Sequence, residues 1–141
     1  MATTAQLGSQ TLLKRGDGAS PEVFTTVYEV VSIGDFGAEN DLVEATHMLS
    51  TSKEYIYGLA DGVELPVVVN YKSTDTTHTG LLTDQSSKVT RNFKITLPTG
   101  LGGTSFSFAA LVKGWRLSFM PNEVVHASFT LKLSGSITGP V

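Results

Sequence analysis

The sequence has no cysteine among its 141 residues. Disulfides, thiolate metal sites and a cysteine nucleophile are therefore excluded. Small secreted domains commonly lean on disulfides, so synthesis in a reducing cytoplasm is expected. Charge is also scarce, at 16% of residues against roughly 25% in ordinary globular chains. Ten basic residues face thirteen acidic ones, for a net charge of −3, and Lys14-Arg15 is the single adjacent basic pair. Gripping nucleic acid by its phosphates needs clustered Lys and Arg, so tight nucleic-acid binding is not expected. Purely apolar runs extend only a few residues, far short of the ~20 that span a membrane. The opening MATTAQLGSQ lacks a basic n-region and an apolar h-region, and is not expected to act as a signal peptide.

Chemistry-bearing motifs are missing as well. His47, His78 and His126 are far apart and show no metal-ligand spacing; they read as isolated surface or interface histidines. No serine occupies a G-x-S-x-G elbow, and no two of the thirteen carboxylates stand out as an acid/base pair. Gly100-Leu101-Gly102-Gly103 is followed by β-type alternation rather than by a helix, so it reads as a turn and not as a phosphate loop. Arg15-Gly16-Asp17 spells an adhesion tripeptide, but Asp17-Gly18 is better read as a turn signal. No catalytic, cofactor-binding or metal-binding residue is assigned, and no cofactor is expected.

What remains is abundant Thr, Ser and Gly beside a hydrophobic share of 40%. That mixture suits strands joined by turns, and surfaces that become covered, since interface centres are depleted in charge. The length suits a single domain, residues 1–141; a chain of this size buries roughly two-thirds of its unfolded surface.

Period-two alternation is plainest in the second half. Val63, Leu65, Val67, Val69 and Tyr71 share one face of a strand, with Pro66 on the other; proline cannot donate to a ladder, so an edge strand or bulge is expected there. Val89 to Leu97 alternates again, with Arg91 as the exception on the apolar side. Phe106, Phe108, Ala110 and Val112 form a further apolar row, then Trp115, Leu117 and Phe119, then Val125 through Leu133. Trp115 reads as core rather than as a ligand platform. Turns fall at the Gly100–Gly103 cluster and at Pro121-Asn122, giving an antiparallel meander with one wet and one dry face. Asp75-Thr76-Thr77 offers caps for a short helix over Thr79–Lys88, anchored by Leu81 and Leu82.

The first half is less regular. Glu22 to Ile33 is rich in Val, Thr, Phe and Tyr and predicts one strand. Residues 34–58 form a long loop in which Leu42–Met48 and Tyr55–Leu59 pair as a hairpin; long loops in compact domains are usually functional. Residues 1–13 read as a flexible arm.

Four segments in order resemble the tail tube, or major tail, protein family of siphophages with flexible, non-contractile tails. They are Leu12–Gly34 (LLKRGDGASPEVFTTVYEVVSIG), Gly62–Asp84 (GVELPVVVNYKSTDTTHTGLLTD), Arg91–Pro98 (RNFKITLP) with Phe106–Trp115 (FSFAALVKGW), and His126–Thr138 (HASFTLKLSGSIT). The resemblance implies an all-β fold with one short helix, a β-sandwich or rolled antiparallel sheet of the phage tail tube type. It implies a virion protein that assembles as a homo-oligomer, in stacked hexameric rings, into a hollow tube through which DNA passes without tight binding. Tape-measure, tail initiation and tail terminator proteins are the implied partners. The implied location is the virion tail, with assembly in the host cytoplasm; no membrane is involved. Mapped onto this chain, inter-ring contacts fall on Leu12, Asp35, Phe36, Glu39, Asp41, Leu42, Glu44, Tyr55 and Tyr57.

Two other readings stand beside it. One is the tube subunit of a contractile tail or type VI secretion-like machine. The other is a monomeric β-sandwich binding module, for which Tyr28, Tyr55, Tyr57 and Tyr71 are the available aromatics. A lumen that lets DNA slide should be neutral or acidic; an inward ring of Lys94, Arg116 or Lys132 would contradict it.

Overall fold

Burial follows the two-residue period strand by strand, and that period builds most of the architecture. The computed structural model describes residues 11–140. In order come β1 (Leu12–Gly16), β2 (Phe24–Thr26), β3 (Val30–Ile33), β4 (Ala38–Glu44), β5 (Tyr55–Gly62), β6 (Glu64–Asn70), α1 (Thr76–Ser87), β7 (Thr90–Thr96), β8 (Ser105–Ser118) and β9 (His126–Thr138). A 3-10 turn at Thr99–Leu101 connects β7 to β8. Seven strands form one sheet in the order β2-β1-β7-β8-β9-β6-β3, and β4 with β5 forms a separate two-stranded ribbon. All pairings are antiparallel. The expected all-β class with one short helix is the observed one.

The sheet is rolled, and the connection between its edges requires this. β2 and β3 are the two edge strands, yet only Val27, Tyr28 and Glu29 separate them in sequence. Four Cα steps span at most about 14 Å, so the edges must lie close together. The link is tied to both sides: the Val27 N–H donates to Leu13 O at 2.8 Å, and the Asn70 N–H donates to Glu29 O at 3.0 Å. Glu29 adopts a left-handed φ of 46°. The single strand expected over Glu22–Ile33 is therefore broken, because this turn sends its two halves to opposite edges.

Inside the roll, Leu13, Leu65, Val67, Val69, Phe93, Ile95, Phe108, Ala110, Ala127, Phe129 and Leu131 form one continuous core. α1 covers it, and begins earlier than the sequence suggested. The Asp75 side chain caps it, accepting from the N–H groups of Thr77 and His78 and from the Thr77 hydroxyl. Burial opposes ionisation of Asp75, but these hydrogen bonds outweigh it and hold the carboxyl below its ordinary value of 3.8.

The buried face of α1 is Thr77, His78, Leu81 and Asp84, mostly polar. Asp84, 2% exposed, accepts two bonds from Arg15, Nε at 2.8 Å and Nη2 at 2.9 Å, and one from Arg91 Nε at 2.9 Å. This explains Arg91 as the polar exception on the apolar side of β7: it reaches a buried carboxylate instead of the hydrocarbon core. His78 is wholly buried, contrary to the expected surface or interface position. Its Nδ1 accepts from the Lys72 N–H at 3.0 Å, and Nε2 lies 2.7 Å from Tyr28 O. That pair of partners selects the tautomer with its proton on Nε2.

Further differences have physical reasons. Pro66 lies in the next-to-last strand and not at an edge, and the bulge falls between Val30 and Ser32 of β3. Pro66 is tolerated because its amide side faces the end of β3, where its carbonyl accepts from the Gly34 N–H at 2.7 Å and the ladder stops. The rows containing Phe106 and Trp115 belong to one strand, β8, whose bulge between Val112 and Gly114 shifts the alternation. Trp115 stands opposite Phe129 yet is 40% exposed, so it is not the core residue expected. Leu12 and Leu13 pair with Thr96 and Ile95 inside β1, so they do not belong to an arm; residues 1–10 lie outside the described residues.

Candidate functional site

β4 and β5 stand out because almost nothing among the described residues covers them. Every residue of β4 is exposed, and so is β5 up to Asp61. Cross-strand pairing places Leu42 opposite Tyr57 and Glu44 opposite Tyr55, with Val43 opposite Ile56 on the reverse face. Leu42, Tyr57 and Leu59 are 60%, 79% and 84% exposed. Both faces of the ribbon thus carry open apolar side chains beside its carboxylates, and exposed apolar surfaces mark interaction sites.

The ribbon is nevertheless well anchored and well shaped. At its base Phe36 packs against Phe106 and Phe108, with ring centroids 5.6 and 5.1 Å away. Gly62 crosses β9 so closely that a Cβ there would lie 2.5 Å from Leu133 Cβ. Lys132 Nζ ties down the same point, donating to Gly62 O at 2.7 Å and to Asp61 Oδ1 at 3.2 Å. At the tip, polar atoms organise the turn. Glu54 N–H donates to Thr46 Oγ1 at 3.0 Å, Ser50 Oγ donates to Glu54 Oε2 at 2.9 Å, and Leu49 N–H donates to His47 Nδ1 at 3.2 Å. Met48 and Leu49 are left facing solvent.

Of the nine sequence-designated residues, the ribbon brings together Glu39, Asp41, Leu42, Glu44, Tyr55 and Tyr57. Asp35 and Phe36 lie in the lead-in, where Phe36 serves as an anchor. Leu12 lies on β1, within the sheet. Sequence reasoning missed Val43, Ile56, Leu59, Met48 and Leu49. Their signal was the pair of short apolar pieces that predicted the hairpin, read for pairing and not for exposure. The four tyrosines do not converge: Tyr28 and Tyr71 flank His78 at 5.9 Å, while Tyr55 and Tyr57 lie on the ribbon.

Two other features bear on chemistry. An apolar groove of about 600 Å³ beside the ribbon's base is lined by Val30, Ile33, Phe36, Ile95, Leu97 and Phe106, among others. The non-core face of the sheet is polar, with Lys94 opposite Ser107, Arg116 opposite Ser128, and Lys132 opposite Glu64. On this face Lys113 Nζ reaches Glu64 at 2.6 Å, and its hydrogen bond and charge lower the Glu64 pKa. Among the described residues, no cluster of three His, Asp or Glu could hold a metal ion.

Solved structures share this architecture. A chain from the tail of an empty gene transfer agent particle, a tail with C6 symmetry, superimposes with a TM-score of 0.77. The alignment covers 95% of this chain and 98% of that one at 14% identity. The SPP1 tail tube protein gives a TM-score of 0.71 at 12% identity, over 93% of this chain and 77% of that one.

The fold is the tail tube fold. A chain of an extracellular contractile injection system, from its sheath/tube terminator, shares it too, with a TM-score of 0.72, 12% identity and 98% of each chain covered. The fold is thus shared, at similar TM-scores, by a chain of a contractile injection system and by the gene transfer agent and SPP1 tail chains. No protein-family profile matches the sequence, and no curated protein does.

Proposed function

We propose that this chain is a structural subunit of a phage tail tube, assembling as hexameric rings that stack into a hollow conduit for DNA. The observation that carries the reading is the β4–β5 ribbon, shaped and anchored on a tail tube fold yet uncovered, with apolar side chains open on both faces. A second copy would cover it. The open edges at β2 and β3 offer a separate contact, since unpaired strand edges are templates for pairing between chains. One contact closes a ring and the other stacks rings without closing, which yields a filament. Residues 34–58 take the inter-ring role, and the non-contractile siphophage type follows from the sequence resemblance. Such a subunit works in the virion tail, after assembly in the host cytoplasm, and its ends meet initiation, terminator and tape-measure proteins. No catalysis is assigned to it.

The test is negative-stain electron microscopy of the purified protein, dilute and concentrated, alongside its solution mass. Hollow rings or tubes of uniform width are expected. A persistent monomer, even when concentrated and seeded with tail initiation complexes, would refute the reading and favour a binding module. The near-complete match to the contractile-system chain supports a second reading, the tube of a contractile machine. Sheath density around native particles would select it.

A further inference from the structure

The β1–β7 ladder sets Lys14 directly opposite Lys94. The same strands turn Leu13, Phe93 and Ile95 into the core, so both lysines stand on the polar outer face. Like charges directly opposite one another destabilise a sheet. Among the described residues neither lysine has an ion-pair partner. Lys94 Nζ instead rests 4.4 Å from the centroid of the Phe24 ring. Glu22, near this face, directs its carboxylate to Gly18 N–H and Asn92 Nδ2, both at 2.9 Å.

The ribbon carries the opposite imbalance. From Asp35 to Gly62 there are six carboxylates and a single lysine, Lys53. Glu39 stands directly opposite Asp61, with Asp41 two residues further along the same side of β4. Asp61 is relieved by Lys132; Glu39 and Asp41 have no ion-pair partner among the described residues. Among the described residues the two sets form no ion pair with each other. Lys132, which marks the ribbon's base, is opposite Leu111 and hence in line with Thr90 of β7. Lys94 lies four residues on, roughly 13 Å along the strand, and two strand spacings, roughly 10 Å, across.

We infer that the outer face of β1 and β7, around Lys14 and Lys94, is the docking surface for the acidic side of the β4–β5 ribbon of a second copy. The occupant rests on the tube-subunit reading; the location rests on charge complementarity, with an unpaired cationic cross-strand pair on one part of the chain and unpaired carboxylates on another. Each copy presents one donor and one acceptor surface, so the contact is head-to-tail and propagates. Charges placed this way set association rate and register, and weaken with salt.

The absence of native cysteine makes the decisive experiment clean. Asp41→Cys and Lys94→Cys proteins, mixed under mild oxidation, are expected to give a mixed disulfide dimer. Asp41→Cys mixed with Ser136→Cys, on the exposed end of β9, is expected to give little. In parallel, Lys94→Glu should raise the concentration needed for assembly at least about tenfold, and Lys14→Glu/Lys94→Glu mixed with Glu39→Lys/Asp41→Lys should restore assembly. Lys14→Glu alone should leave the melting temperature unchanged or raise it, since it converts a repulsive cross-strand pair into an attractive one; this separates lost docking from lost folding. Wild-type tubes with no 41–94 crosslink and no effect of Lys94→Glu would overturn the docking surface while leaving the tube reading intact. A wild-type protein that neither assembles nor crosslinks would overturn both.

Discussion

Asp84→Asn replaces the buried carboxylate beneath α1 by a neutral isostere and leaves Arg15 and Arg91 facing one another. The carboxylate side chain is 1% exposed, and the Arg15 and Arg91 side chains are 16% and 24% exposed. Removing one partner of a buried ion pair costs about 3–5 kcal/mol. Here both guanidinium groups retain some access to water, so the lower end applies, about 3 kcal/mol. With an unfolding entropy of roughly 2.1 cal/mol/K per residue, each kcal/mol moves the melting temperature of a chain this long by about 3 °C. Asp84→Asn should therefore melt about 10 °C lower by circular dichroism, at a protein concentration where the chain is monomeric. A triple change, Arg15→Met/Asp84→Leu/Arg91→Met, should return most of that loss, because apolar residues of similar volume often replace a buried ion network without penalty. A drop below about 3 °C for Asp84→Asn would refute the reasoning; it would mean that the network's desolvation cancels its attraction.

Three further outcomes are expected. Gly80→Ala should lower stability despite the roughly 1 kcal/mol that alanine gains in a helix, because its Cβ would fall 2.8 Å from Arg15 Cζ; in an Arg15→Met background the gain should reappear, and parallel melts read both. Asp75→Ala should cost about 0.5–2 kcal/mol by removing the cap. Because the folded-state pKa of Asp75 is lowered, its contribution is complete above the unfolded carboxylate value near 4 and fades as pH falls through the folded value; the wild-type minus Asp75→Ala difference should shrink in acid melts. Leu42→Ser/Tyr57→Ser/Leu59→Ser should shift monomer stability by no more than about 0.5 kcal/mol per site while suppressing assembly, read by sedimentation and microscopy.

Legibility from sequence followed the contrast between dry and wet faces. β6 and β9 were readable residue by residue because one side of each meets the core and the other meets water. The break in Glu22–Ile33 was not, since Val, Thr and Tyr favour strand on both sides of the turn. What sets that turn is distant in sequence: His78 at the Tyr28 carbonyl and Asn70 at the Glu29 carbonyl. α1 was placed from its caps, but its inner face was invisible because Asp84 and His78 erase the apolar period that normally marks it. Arg91, out of step on an apolar strand face, was the one trace of that arrangement. For the ribbon, pairing was legible from two short apolar pieces, whereas its exposure was not. Leu, Tyr and Ile ordinarily signal burial, and here no other part of the described chain covers them.

The polar underside of α1 has a consequence for how the chain behaves when the helix opens. An amphipathic helix held by hydrocarbon alone would, on opening, offer a greasy stripe that fits many surfaces. α1 opens onto a carboxylate, an imidazole and a threonine hydroxyl, whose partners sit at fixed points of β1, β7 and the Val27–Glu29 link. A transient opening therefore finds its own seat again more readily than it finds a neighbour. For the proposed tube subunit, an opened α1 thus adds little to the contact surfaces that the ribbon and the sheet edges already offer.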